Sequence, residues 1–482
     1  MSEFHHLEGV TRSLSYAEFL SEMQSPLPHS ALIAISRLSW QLEEKTTKQN
    51  RHLPVFFAQS ARAILSTYVR SNDVENIERI TKETFNRWFE SYQSIDERPS
   101  TPDDPNFLNR IKIAVSFESF GFQDDSFRES IGRYYVLYCR SVLGRLSRRD
   151  WTEALGVSIE EYFHIWISLS ALSRSQNGLI GRKIALGDEL VKNNFEKYKI
   201  TPSKIELVIN LLASPPENYS NMEMGTREQR ELRRFDPNPL LIKPLVEIEQ
   251  DVLCIPVPHY LNNAASNGLY FKGIDKWSTF TEDLGKEFEE YMGEHLKLLG
   301  TARIFRVARQ KTGEERCDWI VLLDSFALLV ETKIQRLSAA SRAGGSALQD
   351  DIEKVISKPS SQINATVTAI NRGDDDFKYI PRDFPLRGLV VSLEPFYLAN
   401  SIGIELALVK ASIPTTFASA NELEDLVSPK NPKLLDSTLK KLQDDLNLSK
   451  QSVWEVLNSI GYPRVLSPII EGALDSAPWA EI

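Results

Sequence analysis

The chain of 482 residues has few of the features that mark membrane, secreted or zinc-binding proteins. It contains no run of about 18 or more apolar residues, so we expect no membrane-spanning helix. Residues 1–15 have no basic start followed by an apolar stretch, which predicts the absence of a secretory signal. The three cysteines lie far apart, and none has the CxxC or Cys/His spacing of a zinc site. Such sparse cysteines are typical of the cytoplasm and predict buried free thiols.

Basic residues are also not in excess. The formal net charge is −10, from 56 Lys and Arg against 66 Asp and Glu. Dedicated non-specific DNA-binding proteins have a basic balance, because phosphate neutralisation supplies most of their affinity. This charge excludes a chain coated in nucleic acid, but it leaves room for an enzyme with a local basic groove. No Gly-x-x-x-x-Gly-Lys-Ser/Thr loop is present, which predicts no ATPase within the chain.

Hydrophobic periodicity predicts a multidomain α+β protein. Residues 1–213 have apolar residues at three- and four-residue spacing, which indicates an α-helical domain. Residues 214–280 are predicted to be a linker and a short β segment, because a polar, proline-flanked stretch precedes alternating β-branched residues. Residues 281–400 follow the order helix, strand, strand, strand, helix, strand, which predicts an α/β core. Residues 401–482 are predicted to form a helical C-terminal region.

The segment "RCDWIVLLDSFALLVETKIQRL", residues 316–337, is apolar but contains three charges within its predicted strands. Asp324–Ser325 is a suitable two-residue turn between two apolar runs. This turn sets a register in which Asp318 lies opposite Glu331, and Lys333 shares the face of Glu331 because side chains alternate along a strand. Two carboxylates and an ammonium group are therefore expected to converge on one patch of the sheet.

This arrangement favours a metal-dependent phosphodiesterase. Two opposed carboxylates repel or share a proton, and a divalent cation between them removes the conflict. Mg²⁺ prefers oxygen ligands, and it polarises a phosphodiester and activates water. Lys333 would offset the developing negative charge. The alternative is that Glu331 and Lys333 form a surface ion pair at an exposed strand end, which contributes little.

With its flanking elements, the hairpin resembles the PD-(D/E)XK nuclease superfamily. The preceding helix, "GKEFEEYMGEHLKLLG", is similar to the Gly-x-x-Phe-Glu helix of Mrr-like restriction nucleases, with Gly285, Phe288 and Glu289 at the matching positions. The resemblance covers residues 281–400, about a quarter of the chain. It implies a restriction-endonuclease-like α/β core with a mixed central sheet.

The resemblance also implies roles for individual residues. Asp318 and Glu331 would be metal ligands, with the main-chain carbonyl of Thr332 as a further ligand. Glu289 would point at the metal from the helix, and Lys333 would be the catalytic lysine. The implied cofactor is Mg²⁺ or Mn²⁺.

Three further residues are candidates for contact with nucleic acid. Arg309 and Lys311 follow the predicted strand before the hairpin, where alternation would direct them to the groove. Their alternative role is to protect a solvated strand edge with charge. Gln362 stands on the following helix, where some relatives with RecB-like sites carry a glutamine, although the tyrosine of that motif is absent here.

The sequence therefore predicts a cytoplasmic, divalent-metal-dependent nuclease. DNA is the expected substrate by analogy with the Mrr-like proteins, with RNA as the alternative, and a restriction or anti-phage defence role is expected from the architecture. The helical N-terminal region would regulate the enzyme, bind protein partners or help to hold substrate, and no membrane partner is expected. Two alternatives stay open: a non-catalytic scaffold on a nuclease-like fold, and a nuclease active only within a complex.

Overall fold

The computed structural model divides into two compact units that interleave along the chain. The described residues are 16–23, 28–43, 52–66, 68, 81–93, 127–183, 195–220, 222, 238–249, 251–300, 302–308, 315–334, 350–396, 399–403 and 407–480. Unit 1 comprises Met1–Ala114, Trp151–Lys272 and Glu481–Ile482, and unit 2 comprises Val115–Asp150 and Gly273–Ala480. The four consecutive segments 1–213, 214–280, 281–400 and 401–482 are predicted from local composition, whereas these units are defined by contacts between distant parts of the chain.

The described helices are named in chain order across both units. They are α1 (Tyr16–Met23), α2 (Pro28–Glu43), α3 (His52–Ser66), α4 (Lys82–Gln93), α5 (Phe127–Cys139), α6 (Thr152–Leu155), α7 (Ile159–Ser175), α8 (Pro202–Leu212), α9 (Pro216–Tyr219), α10 (Pro258–Ala264), α11 (Asn267–Lys276), α12 (Phe280–Lys297), α13 (Lys358–Arg372), α14 (Ala420–Val427), α15 (Pro432–Asp444), α16 (Val453–Ser459) and α17 (Pro468–Asp475). A π-helical turn, Glu353–Ser357, leads into α13. In the part of the chain that the structure describes, no helix is both long and apolar enough to cross a membrane.

Two mixed sheets complete the secondary structure. The strands are β1 (Leu179–Gly181), β2 (Ala213–Ser214), β3 (Leu245–Glu249), β4 (Val252–Cys254), β5 (Arg303–Arg306), β6 (Trp319–Leu322), β7 (Ala327–Lys333), β8 (Leu386–Ser392) and β9 (Thr415–Ser419). Helices and two mixed sheets together confirm the predicted α+β class.

Unit 1 contains a four-stranded sheet in the order β1-β4-β3-β2. The predicted hairpin is present as antiparallel β3 and β4, while β2 runs parallel to β3. Helix α2 is fixed to the chain after β4, because the Ser36 hydroxyl and the Trp40 indole N–H both donate to the Ile255 carbonyl, at 2.8 and 3.0 Å. Strand β1 lies within residues 1–213, which are predicted to form an α-helical domain, and β2 lies at the end of that segment.

Unit 2 contains a five-stranded sheet in the order β5-β6-β7-β8-β9. Strands β5, β6 and β7 are antiparallel, whereas β7, β8 and β9 are parallel. Strand β9 corrects the prediction of an entirely helical C-terminal region. Its sequence, TTFAS, is too short and too weakly alternating to be recognised as a strand.

Helices α12 and α13 cover opposite faces of the hairpin β6–β7. Trp319 lies against Gly293 of α12, whereas the next residue, Ile320, belongs to the buried cluster of Leu329 and Ile363 of α13. Adjacent residues of a strand point to opposite faces, so the hairpin is buried on both sides. This explains its nearly continuous apolar sequence.

Helix α12 buries one apolar face. Leu284, Phe288 and Tyr291 are buried, and their three- and four-residue spacing places them on the same side of the helix. Gly300 has a φ of 58° just beyond the helix, where a left-handed residue ends the helical pattern at little cost when it is glycine. All three cysteines of the chain are buried thiols that form no disulfide, as predicted.

Candidate active site

The β6–β7 hairpin carries the candidate site and has the predicted register. Trp319 pairs with Val330, and the ladder continues to the turn. There the Leu323 N–H donates to the Phe326 carbonyl at 3.0 Å. The two-residue turn predicted from the sequence is therefore confirmed, and the charged residues lie at the other end of the hairpin.

Asp318 lies one residue before β6. Its main-chain N–H donates to the Val330 carbonyl at 3.0 Å, and the regular ladder ends at Trp319. The expected direct opposition of Asp318 and Glu331 is thus not part of the ladder. Instead, Oδ2 of Asp318 accepts hydrogen bonds from the N–H and the hydroxyl of Thr332, at 2.8 and 2.6 Å. These two bonds hold the Asp318 carboxylate next to Thr332, the residue that follows Glu331 on β7.

Glu331 and Lys333 form an ion pair inside the protein. Glu331 is fully buried, whereas the Lys333 side chain is 20% exposed, and its Nζ pairs with Oε1 of Glu331. Oε2 of Glu331 is also buried and has no hydrogen-bond partner among the described residues. The alternative of a surface ion pair is therefore wrong, because the carboxylate has no contact with solvent.

The electrostatics of the two acids reflect burial and mutual repulsion. Burial raises the pKa of Asp318 and the nearby Glu289 carboxylate raises it further, while Thr332 and Lys333 act in the opposite direction. Burial and the Asp318 carboxylate raise the pKa of Glu331 well above its ordinary value, and Lys333 offsets only part of this. Three acids are thus close enough to affect one another, which favours binding of a proton or a cation.

Helix α12 places Glu289 beside this pair. The Trp319 indole N–H donates to the Glu289 main-chain carbonyl at 3.1 Å. A Cβ on Gly293 would lie 2.2 Å from Cζ2 of Trp319, so only glycine lets the helix lie this close to the indole. The position of Glu289 therefore depends on close contact between helix and hairpin.

The Glu289 carboxylate has a basic partner on β5. Nη2 of Arg306 donates to Oε1 of Glu289 at 2.6 Å, and Nη1 pairs with Glu290. The Arg306 side chain is 48% exposed, whereas that of Glu289 is 8% exposed. A half-exposed guanidinium thus donates a hydrogen bond to a buried carboxylate.

The candidate nucleic-acid contacts are described in part. Arg309 and Lys311 lie outside the described residues. Nε2 of Gln362 donates to the Arg316 carbonyl at 3.5 Å, and the buried Oε1 has no hydrogen-bond partner in the described part of the chain. Gln362 also lines an open cleft of about 530 Å³, together with Glu315, Glu353, Lys354, Lys358 and Ser361.

Sequence reasoning missed several residues that support the site. Arg306 belongs to a visible run of basic residues, but its partner depends on where α12 crosses the sheet. Trp319 and Gly293 read as ordinary apolar and small residues, and their contact is not local. The Thr366 hydroxyl of α13 accepts the Cys317 N–H at 2.9 Å, immediately before Asp318. No local pattern marks any of these contacts.

The donor atoms of the site determine whether a divalent cation fits there. Within the described ranges, no group of three or more His, Cys, Asp and Glu side chains is arranged as a metal site. However, the unpartnered Oε2 of Glu331 and the adjacent Asp318 carboxylate are hard oxygen donors, which Mg²⁺ and Mn²⁺ favour. Buried carboxylate oxygens ordinarily have partners. The residues present are compatible with one cation of this class.

Comparisons with known proteins identify no relative of this chain. No family model, no curated protein and no solved structure matches the chain.

Proposed function

We propose that this protein is a divalent-metal-dependent nuclease that hydrolyses phosphodiester bonds. The observation that carries the proposal is the buried Glu331 carboxylate, which has Lys333 on one oxygen and no hydrogen-bond partner on the other among the described residues. An incompletely paired buried carboxylate destabilises a fold. A ligand that binds between Glu331 and Asp318 would remove that cost, and a cation suits both acids.

The order of elements supports a restriction-endonuclease-like core. Helix α12, strand β5, hairpin β6–β7, helix α13 and strand β8 follow one another in unit 2 as in the superfamily that the hairpin resembles. The sheet is mixed, and the two acids lie at one end of its central hairpin. This likeness of topology is an analogy, and the chemistry rests on the side chains.

The cofactor in this proposal is Mg²⁺ or Mn²⁺. Asp318, Glu331, Glu289 and the Thr332 carbonyl would hold it, and the bound cation would supply Lewis acidity to the phosphodiester and to a water molecule. In the hydrolysis, the water oxygen forms a bond to phosphorus while the bond to the leaving sugar oxygen breaks. Nζ of Lys333 would donate a hydrogen bond to the phosphate and stabilise its added negative charge.

The proposed substrate is DNA. The cleft beside Gln362 contains Lys354 and Lys358, which would contact phosphate groups. Restriction or anti-phage defence in the cytoplasm, with protein partners bound by the helical N-terminal region, is the role that we attach to this activity.

The test is cleavage by the full chain. Supercoiled plasmid, linear duplex, single-stranded DNA and RNA are incubated with Mg²⁺ or Mn²⁺, and the products are resolved by electrophoresis. We expect the wild-type protein to cleave DNA and EDTA to abolish cleavage. Asp318→Ala and Lys333→Ala should each lower the rate by about 10²-fold or more, the usual effect of losing a group that stabilises developing charge.

The matched controls come from a surface ion pair of the same unit. Asp375 and Lys378 are paired and highly exposed, so Asp375→Ala and Lys378→Ala change the same residue types away from the site and should retain wild-type rates. Nucleic acid that stays intact with every metal, together with equal behaviour of all variants, would reject the proposal and favour the non-catalytic scaffold.

A further inference from the structure

Arg306 has no role in the proposed chemistry, but it forms a charge pair with Glu289. Arg306 pairs with Trp319 in the β5–β6 ladder, and its guanidinium carbon lies 5.7 Å from the centroid of the Trp319 ring. The same indole donates to the main chain of Glu289. Strand, ring and helix thus direct the guanidinium to the Glu289 carboxylate.

The charges around Arg306 are those of the candidate site. Partial burial lowers the pKa of Arg306, but its hydrogen bond to Glu289 and the charges of Glu289, Glu290 and Asp318 outweigh the burial and raise the pKa overall. Arg306 therefore interacts with the same acids that repel one another around Glu331. In the absence of a cation, a positive side chain at this position partly compensates their charge.

A cation and the guanidinium compete for the same acid. Oε1 of Glu289 accepts the Arg306 hydrogen bond at 2.6 Å, and a metal ligated by that carboxylate would be repelled by the adjacent positive charge. Because about half of the Arg306 side chain is exposed, the guanidinium can turn towards water, and the cation would then replace it as the counterion of the buried Glu289 carboxylate.

We propose that Arg306 is the counterion of Glu289 in the metal-free protein, and that binding of a divalent cation releases it. Arg306 is then a positioning residue that lowers cation affinity. This inference rests on the proposed function, since it assumes that the cation binds beside Glu289.

The experiment measures Mn²⁺ affinity of the full-length protein by calorimetry, without nucleic acid. Arg306→Gln removes the competing charge and should tighten Mn²⁺ binding about twofold to fivefold, the range expected for a partly exposed ion pair. Arg303→Gln is the matched control: it makes the same change on the same strand at an exposed residue and should alter affinity less than twofold.

A double-mutant cycle separates competition from a general charge effect. In the Glu289→Gln background, Arg306→Gln should no longer tighten Mn²⁺ binding, because the shared partner is gone. Weaker binding by Arg306→Gln, or an effect equal to that of Arg303→Gln, would overturn the inference while leaving the nuclease proposal intact. Failure of Mn²⁺ to bind both the wild type and Arg306→Gln, or binding that survives Asp318→Asn, would count against both.

Discussion

Helix α12 contributes to two groups of buried charge that are satisfied to different degrees. On one side, Glu289 joins Asp318 and Glu331. On the other, Arg133 donates to both oxygens of Glu424 at 2.7 and 2.8 Å, and the Tyr291 hydroxyl donates to the same carboxylate at 2.8 Å. We call the first the hairpin cluster and the second the helix cluster.

The helix cluster extends through a neutral histidine. His295 donates its Nδ1–H to the Tyr291 carbonyl at 2.9 Å and accepts the Ser467 hydroxyl at Nε2, at 2.8 Å. Burial lowers the pKa of His295, which favours this neutral form.

The two clusters differ in how completely their buried carboxylates are hydrogen-bonded, and this difference distinguishes a carboxylate that stabilises the fold from one that can bind a ligand. In the helix cluster, both oxygens of the Glu424 carboxylate have donors. In the hairpin cluster, one oxygen of Glu331 has no hydrogen-bond partner among the described residues, and the pKa values of two acids are raised. Satisfied polar networks make a core rigid, whereas a buried carboxylate with an unpaired oxygen favours binding of a proton or a cation. A buried glutamate therefore stabilises the fold in the helix cluster, whereas in the hairpin cluster it provides an oxygen that a ligand can bind.

The test with the largest expected effect makes the same change, glutamate to glutamine, once in each cluster. Glu424→Gln removes the negative charge that pairs with the buried Arg133, and it should destabilise the protein by about 3–5 kcal/mol. Glu331→Gln removes a charge that burial already disfavours, and Lys333 is near water, so the change should stay within about 1 kcal/mol. Urea unfolding at pH 7 without metal measures both, and equal losses would remove the distinction between the clusters.

A second substitution tests the contact that brings α12 to the hairpin. A Cβ on Gly293 overlaps the Trp319 ring, so Gly293→Ala should destabilise the protein by about 1–3 kcal/mol, as overpacking does elsewhere. Because Trp319 also binds the main chain of Glu289, the metal-dependent activity should fall as well. Thermal unfolding and the cleavage assay report the two effects. An unchanged unfolding midpoint would mean that the helix shifts without cost.

The hairpin and its register could be predicted from the sequence because they are local. A two-residue turn fixes every pair that follows it, and the apolar runs on both sides of Asp324–Ser325 identify the turn. The spacing of Leu284, Phe288 and Tyr291 likewise defines the buried face of α12. Asp318, Glu331 and Lys333 are identified as candidates by this local information, and Glu289 is added by the resemblance.

The remainder depends on contacts between distant parts of the chain. Strand β9 is too short to give a clear pattern, and the pairing of Arg306 with Glu289 requires β5, β6 and α12 to meet. The hairpin turn itself is held by Asp436 of α15, which accepts the Ser325 N–H at 2.9 Å and its hydroxyl at 2.6 Å. No local rule connects residues more than a hundred positions apart.

A third test uses pH to measure the free-energy cost of the buried Asp318 charge in the hairpin cluster. The pKa of Asp318 is raised from an ordinary value of 3.8, so the folded metal-free protein binds this proton more tightly than the unfolded chain does. The resulting stability is present below about pH 4 and is lost as the pH rises through the raised pKa. Asp318→Asn escapes this loss. It should be about 1 kcal/mol more stable than the wild type at pH 8 and nearly equal to it at pH 4.

The measurement is the difference in unfolding free energy between Asp318→Asn and the wild type, in chelator, across this pH range. A saturating divalent cation should reverse the difference at pH 8, because it stabilises only the form that binds it. A variant that is less stable than the wild type at every pH would indicate that Asp318 is ionised and satisfied in the fold.

The smallest expected effect compares two glycines of α12. Gly285 matches the nuclease helix motif in the sequence, yet a Cβ placed there meets no atom within 4 Å, in contrast to Gly293. Gly285→Ala should stabilise the protein by up to about 1 kcal/mol, because alanine is the better residue within a helix, and Mn²⁺ affinity should not change. If Gly285→Ala instead weakens cleavage with stability intact, the open space beside Gly285 is needed by the substrate, and the motif marks a contact that forms only in the complex.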